Sequence, residues 1–113
     1  MTFDELLTSP ARLSIIASLA GREPLTFTEL KRESELADGN LHVQSRKLAS
    51  GGYIEILKST RGARSLTRFR LTELGLESLK LHVRKLQAIL ASESGPVRVR
   101  TRTSREDDSQ VWS

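Results

Sequence analysis

Between Asp38 and Ile54 the sequence runs DGNLHVQSRKLASGGYI, a stretch crowded with side chains that can read a nucleic acid. At helical spacing Leu41, Ser45 and Leu48 share one side, which leaves Asn40, His42, Val43, Gln44, Arg46 and Lys47 on the rest. An asparagine or glutamine amide can pair with adenine through two hydrogen bonds, and arginine or lysine with guanine. Each good pair contributes about 1–3 kcal/mol of discrimination against the wrong base. Val43 has the methyl groups to meet thymine. His42 can donate to a phosphate or a base, or be an ordinary surface histidine.

The charge distribution points the same way. The net charge is +4, but residues 1–38 carry −3, residues 39–71 carry +6 and residues 72–113 carry +1. Within the middle block Glu55 is the only acid against Arg46, Lys47, Lys58, Arg61, Arg64, Arg68 and Arg70. Such concentration suits a polyanion partner, although charge alone reports a field rather than a partner.

Local signals give the elements that hold these residues. Ser9-Pro10 is a cap followed by proline at the first helical position, and Leu13, Ile16, Leu19 and Ala20 predict a helix over about 10–20. The preceding FDELL is either a separate short helix or an extension of that one. Thr26 and Glu29 have capping-box spacing, which predicts a second helix over about 27–34. Asp38 is the expected cap of the third helix, over 38–51, and Gly51-Gly52 its terminator. YIEILKS and SLTRFRL alternate as strands on either side of a polar STRGAR tip, giving a two-stranded wing over 59–66. Thr72 then opens a long helix with Leu76, Leu79, Val83, Leu86 and Leu90 at steps of three and four. Residues 92–113 are polar, without a core pattern, and read as a mobile tail beside a single domain over 1–91.

Three helices, a hairpin and a long helix make a mainly α chain of winged helix-turn-helix arrangement. With that order in place, LTSPARLSIIASL, FTELKRESELADGNLHVQSRKLASGGYIEI and RFRLTELGLESL resemble the winged-helix regulators of the MarR/ArsR-like group, above all its small single-domain bacterial members. The likeness covers roughly residues 6–90, and its most specific parts are Asp38 through Ile54 and Leu71-Thr72-x-x-Gly75. It implies a cytoplasmic homodimer that binds double-stranded DNA and regulates transcription, most often as a repressor. It also implies a third helix in the major groove and a wing on the backbone or minor groove. By position, Asn40, His42, Val43, Gln44, Arg46 and Lys47 fall on the recognition helix, and Arg61, Gly62 and Arg64 on the wing. Relatives often have His where Gln44 stands and Leu where Ser45 stands. Gln44 still reads a base edge, so the first departure bears on the target sequence. Ser45 on an inner face needs a hydrogen-bond partner.

Other positions carry two readings. Thr28 can bond a phosphate at the positive end of the second helix, whereas Thr26 serves chiefly as its cap. Arg68 either reaches a phosphate or lines the solvent face of a strand. The Leu76–Leu90 stripe suits a partner helix in a homodimer, or covers its own domain's core; Leu74, Leu81 and Ile89 off the stripe favour burial on more than one side. The absence of cysteine excludes disulfides and thiolate metal sites. His42 and His82 lie on different helices, no phosphate loop or metal-ligand spacing occurs, and an enzyme, a metal or a cofactor is not expected. A small-molecule effector is left open, since a pocket between dimer helices would leave no short motif, but no residue indicates one. No apolar run approaches the ~18 residues of a membrane span, and MTFDELLTSPARL lacks the features of a signal peptide. Two alternatives stand beside the regulator: a winged-helix module for protein–protein interaction through the last helix, and a non-specific nucleic-acid binder using Arg98, Arg100, Arg102 and Arg105.

Overall fold

The computed structural model describes residues 2–92. The tail expected beyond Ser92, with its four arginines, lies outside the described residues. A single 3-10 turn, Glu5–Leu7, precedes helix α1, Pro10–Leu19, so FDELL is a separate element. Ser9 caps α1 by accepting the Arg12 amide at 3.2 Å, with Pro10 in the position where a missing N–H costs nothing. Strand β1, Leu25–Thr26, leads directly into α2, Phe27–Ser34, and α3 follows as Asp38–Ser50. The wing is β2, Ile54–Arg61, against β3, Arg64–Leu71, and α4 runs over Glu73–Ser92.

The capping box of α2 forms as its spacing requires. Glu29 accepts the Thr26 amide at 2.9 Å, and Thr26 Oγ1 accepts the Glu29 amide at 3.2 Å. The Thr26 amide bond, aided by the Thr26 hydroxyl and the Arg32 and Arg68 charges, holds the Glu29 carboxyl below the ordinary value of 4.5, against a smaller opposing effect of burial. A depressed carboxylate stabilises the fold above its unfolded value, and that stabilisation fades as pH falls through the folded one. Replacing Glu29 by Gln is therefore expected to flatten the acid limb of the stability–pH curve below about pH 4.5. Denaturant unfolding over pH 3–7 checks this, and an unchanged limb in the variant contradicts it.

Asp38 does not cap α3. The N-cap is Ala37, whose carbonyl accepts the Leu41 amide at 2.9 Å, and no side chain among the described residues caps the helix. The helix starts one residue early because Lys31 of α2 takes the Asp38 carboxylate at 2.8 Å. Asp38 still lies in the first turn, where negative charge suits the helix dipole. At the other end the chain turns on Gly52, at φ +82°, and the Tyr53 amide bonds the Leu48 carbonyl at 2.9 Å.

The wing is longer and its tip shorter than STRGAR suggests. Arg61 and Arg64 are still ladder partners, so only Gly62 and Ala63 form the turn. β1 adds a third strand by pairing antiparallel with β3, Leu25 against Phe69 and Thr26 against Arg68, in the order β1-β3-β2. The core lies between this small sheet and the three helices: Leu7, Ile15, Ile16, Leu19, Leu25, Leu30, Leu41, Leu48, Ile54 and Phe69. Burying each such side chain stabilises the fold by roughly 1.5–3 kcal/mol. Beyond Leu57 and Thr67 the hairpin is exposed on both strands and stands out from the body.

α4 starts under a double contact from Thr72, whose hydroxyl donates to the Gly52 carbonyl at 2.6 Å and accepts the Gly75 amide at 3.0 Å. His82 is buried where the N-terminal arm crosses α4, with Phe3 edge-on to the His82 ring at 5.9 Å and the Thr2 carbonyl accepting from Lys85 Nζ at 2.5 Å. Asp4 anchors the same arm by capping the 3-10 turn and accepting from the Tyr53 hydroxyl. Burial first, and then that bond to Asp4, raises the Tyr53 pKa above 10.0.

Candidate nucleic-acid interface

α3 is held down by Leu41 and Leu48, both fully buried, and by Ser45 between them. The Ser45 hydroxyl donates to the His42 carbonyl at 3.2 Å, one turn back on the same helix. That bond lets a serine stand at an inner position without an unsatisfied hydroxyl.

The opposite side of α3 is open. Val43, half exposed at 51%, stands at the crest with Arg46 and Lys47, and Asn40 is exposed one turn before. The flanks are more structured than their spacing suggests. On the side facing the sheet, the His42 ring stacks on Phe27 at 4.7 Å and 30°. A cleft of about 500 Å³ opens there between α3 and the sheet, lined by Phe27, His42, Arg46, Ile56, Lys58 and Phe69. On the side facing α1, Gln44 is half-buried; its Oε1 accepts from Arg12 Nη1 at 2.8 Å and its Nε2 donates to Asn40 Oδ1 at 3.1 Å.

The wing carries Arg61 and Arg64 directly opposite one another, with Gly62 beginning the turn between them. Like charges facing across a ladder destabilise an isolated hairpin, so this tip gains from an anion beside it. Arg68 is the ladder partner of Thr26, which sets it beside the N-terminal turn of α2, where Thr28 is exposed. Arg70 is excluded from the open set because it pairs with Glu55 across the ladder. Among the described residues Arg46, Lys47, Lys58, Arg61, Arg64 and Arg68 make no salt bridge. Two residues beside this surface are not singled out by the sequence. Lys58 stands at the root of the wing and reads there only as one charge among seven, while Arg12 lies 32 residues from Gln44 with no local signal of the contact.

The stripe on α4 divides along its length. Leu79 packs against the core and Leu76 is half-buried, whereas Val83, Leu86 and Leu90 are exposed, Leu90 by 67%. Leu74, Leu81 and Ile89 are exposed as well, so the described residues do not bury a second side of the helix. No helix among the described residues is long and apolar enough to cross a membrane.

Comparison with known proteins agrees with this geometry. Residues 11–90 match the model of a family described as a winged helix DNA-binding domain. An uncharacterized protein of Methanocaldococcus jannaschii is 33% identical over 79 residues, spanning 70% of this chain and 86% of that one. Among solved structures, a transcriptional regulator homologue protein from Pyrococcus horikoshii is similar with a TM-score of 0.72 and 26% identity, over 80% of this chain and 90% of that chain. A MarR family transcriptional regulator from Silicibacter pomeroyi shares the fold with a TM-score of 0.59 and 19% identity, over 79% of this chain and 60% of that chain.

Proposed function

The chain belongs to the winged helix DNA-binding domain family, and from that premise we propose that it is a sequence-specific transcriptional regulator, acting as a homodimeric repressor. The observation that carries this reading is the open side of α3 together with the projecting wing, whose Arg46, Lys47, Lys58, Arg61, Arg64 and Arg68 make no salt bridge among the described residues. In this reading α3 enters the major groove with Asn40, His42, Val43, Gln44, Arg46 and Lys47 toward base edges and nearby phosphates. Arg61 and Arg64, with Gly62 allowing close approach, lie on the backbone or in the minor groove. Thr28 and Arg68 bond phosphate.

The exposed Val83, Leu86 and Leu90 support self-association through α4, since a second copy would cover them and supply a second reading helix. Two copies match a two-fold site, and a dimer seated within a promoter represses by exclusion. The likeness to the Pyrococcus regulator homologue supports the regulatory role. Such a protein works where the DNA is, in the cytoplasm.

Selection from random duplexes and genomic fragments tests the reading. The selected duplex is expected to bind about 10³-fold more tightly than random DNA at physiological salt, with half-sites about one helical turn apart. Light scattering of the free protein is expected to give the dimer mass. No preference for any duplex over random DNA contradicts the specific reading, and a stable monomer contradicts the dimer. A protein without DNA affinity that pairs through α4 with a foreign chain favours the interaction module instead.

A further inference from the structure

The contact between Arg12 and Gln44 joins a helix outside the proposed reading face to the side chains on it. Arg12 is half-buried and fixed at its base: Nε donates to the Leu6 carbonyl at 2.8 Å and Nη2 to the Glu5 carbonyl at 3.3 Å. Its remaining partner is Gln44 Oε1 at 2.8 Å.

Resting on the reading above, we propose that Arg12 is a positioning residue for base recognition, fixing the direction of the Gln44–Asn40 pair so that α3 offers amide N–H donors to the groove. A guanidinium only donates and does not lose its proton, so the Gln44 atom beside it must be the oxygen. The Gln44 nitrogen is then turned toward Asn40 and can only donate, so the Asn40 atom receiving it at 3.1 Å must be the oxygen as well. Two amides that are free to flip elsewhere are thereby locked in one sense by a charge on α1. Among the described residues Asn40 is left with both amide hydrogens uncommitted and Gln44 with one, while each oxygen has already accepted one bond. The base edge that complements such a set is guanine, whose N7 and O6 both accept in the major groove. Adenine, which offers one acceptor and one donor, competes for the single lone pair left on each oxygen.

Selection with the full chain and two variants tests this. The wild type is expected to enrich guanine at the positions read by Asn40 and Gln44. Arg12→Met is expected to reduce that preference by about tenfold while leaving the dependence of affinity on salt unchanged. Gln44→Glu keeps the bond to Arg12 but can no longer donate to Asn40. It is expected to turn the Asn40 nitrogen inward and shift the preference to adenine or cytosine, which carry donors. Should Arg12→Met fail to fold, seen by thermal melting, Arg12→Lys takes its place, keeping the charge but losing the planar fork that holds the Gln44 oxygen, with the same loss of preference expected. Unchanged base preferences in the variants, with the wild type still selective, overturn the positioning role and leave the DNA-binding reading intact. A salt slope lower by about one in Arg12→Met, with its preference unchanged, overturns it in favour of a phosphate contact. A wild type without sequence preference overturns both together.

Discussion

Replacing Arg46 and Lys47 together by alanine is expected to weaken binding to a selected duplex by about 10²–10³-fold without unfolding the protein. The two side chains are neighbours on the open side of α3, both are exposed, and neither forms a salt bridge among the described residues. Their removal therefore leaves no buried partner unsatisfied, and the cost to stability stays within about 0.5 kcal/mol. Whether each meets a base or a phosphate is read from the same titration. A side chain that reads a base takes discrimination at one position with it. One that neutralises a phosphate weakens all sequences alike when removed, and lowers the salt slope by about one. Affinity unchanged in the double variant, with melting also unchanged, would remove α3 from the interface. Fluorescence anisotropy with one selected and one random duplex checks the outcome.

The second large effect is on the fold. Gly75→Ala is expected to destabilise the protein by about 2–3 kcal/mol, although alanine is usually worth up to about 1 kcal/mol more than glycine inside a helix. A Cβ at position 75 would stand 2.2 Å from the Tyr53 carbonyl oxygen and 2.7 Å from Leu71 Cδ1. The first of these atoms is backbone, and it also accepts the Thr72 amide at 3.0 Å, so it has little room to move. The clash falls where α3, the start of β2 and the first turn of α4 meet. The substitution should thus loosen the wing as well as the last helix. Urea unfolding measures the change, and a Gly75→Ala protein as stable as the wild type would show that the close approach is not needed. Gly51 makes the opposite comparison: an added Cβ there meets mainly the flexible end of Leu6.

These two sites differ in how far the sequence announces them. The basic face is legible because its parts are neighbours in the chain: Leu41, Ser45 and Leu48 mark one side of a helix, and the other side follows from the period. The capping box at Thr26 and Glu29 and the Ser9-Pro10 start are legible for the same reason, each being an interaction within one turn. Asp38 misleads because its local preference for capping competes with a salt bridge to Lys31, seven residues back on the preceding helix, which forms only once the α2–α3 turn has folded. β1 is not legible: two residues carry no period of their own, and they are strand only because Phe69 and Arg68 supply the ladder. Arg12 belongs with β1, since its contact with Gln44 depends on α1 packing beside α3. Ser45 looks like a fault in an inner stripe and is satisfied by the carbonyl one turn behind it, a bond open to any helical serine. On α4 the apolar period is plain, but Val83, Leu86 and Leu90 face away from the core, and a pattern in sequence does not say which chain will cover them.

If α3 and the wing bind duplex DNA through their cations and distinguish sequences with the side chains between them, affinity depends on both salt and sequence. Titration of the 113-residue chain with a selected duplex and with a random one, from 50 to 200 mM salt, measures both dependences at once. The predicted result is a fall of about 10³-fold or more for the selected duplex across that range, as for six or more phosphates neutralised by a dimer, with the selected duplex remaining about 10³-fold better than the random one at the physiological point. A flat salt dependence, or equal affinity for both duplexes at every salt, would contradict it.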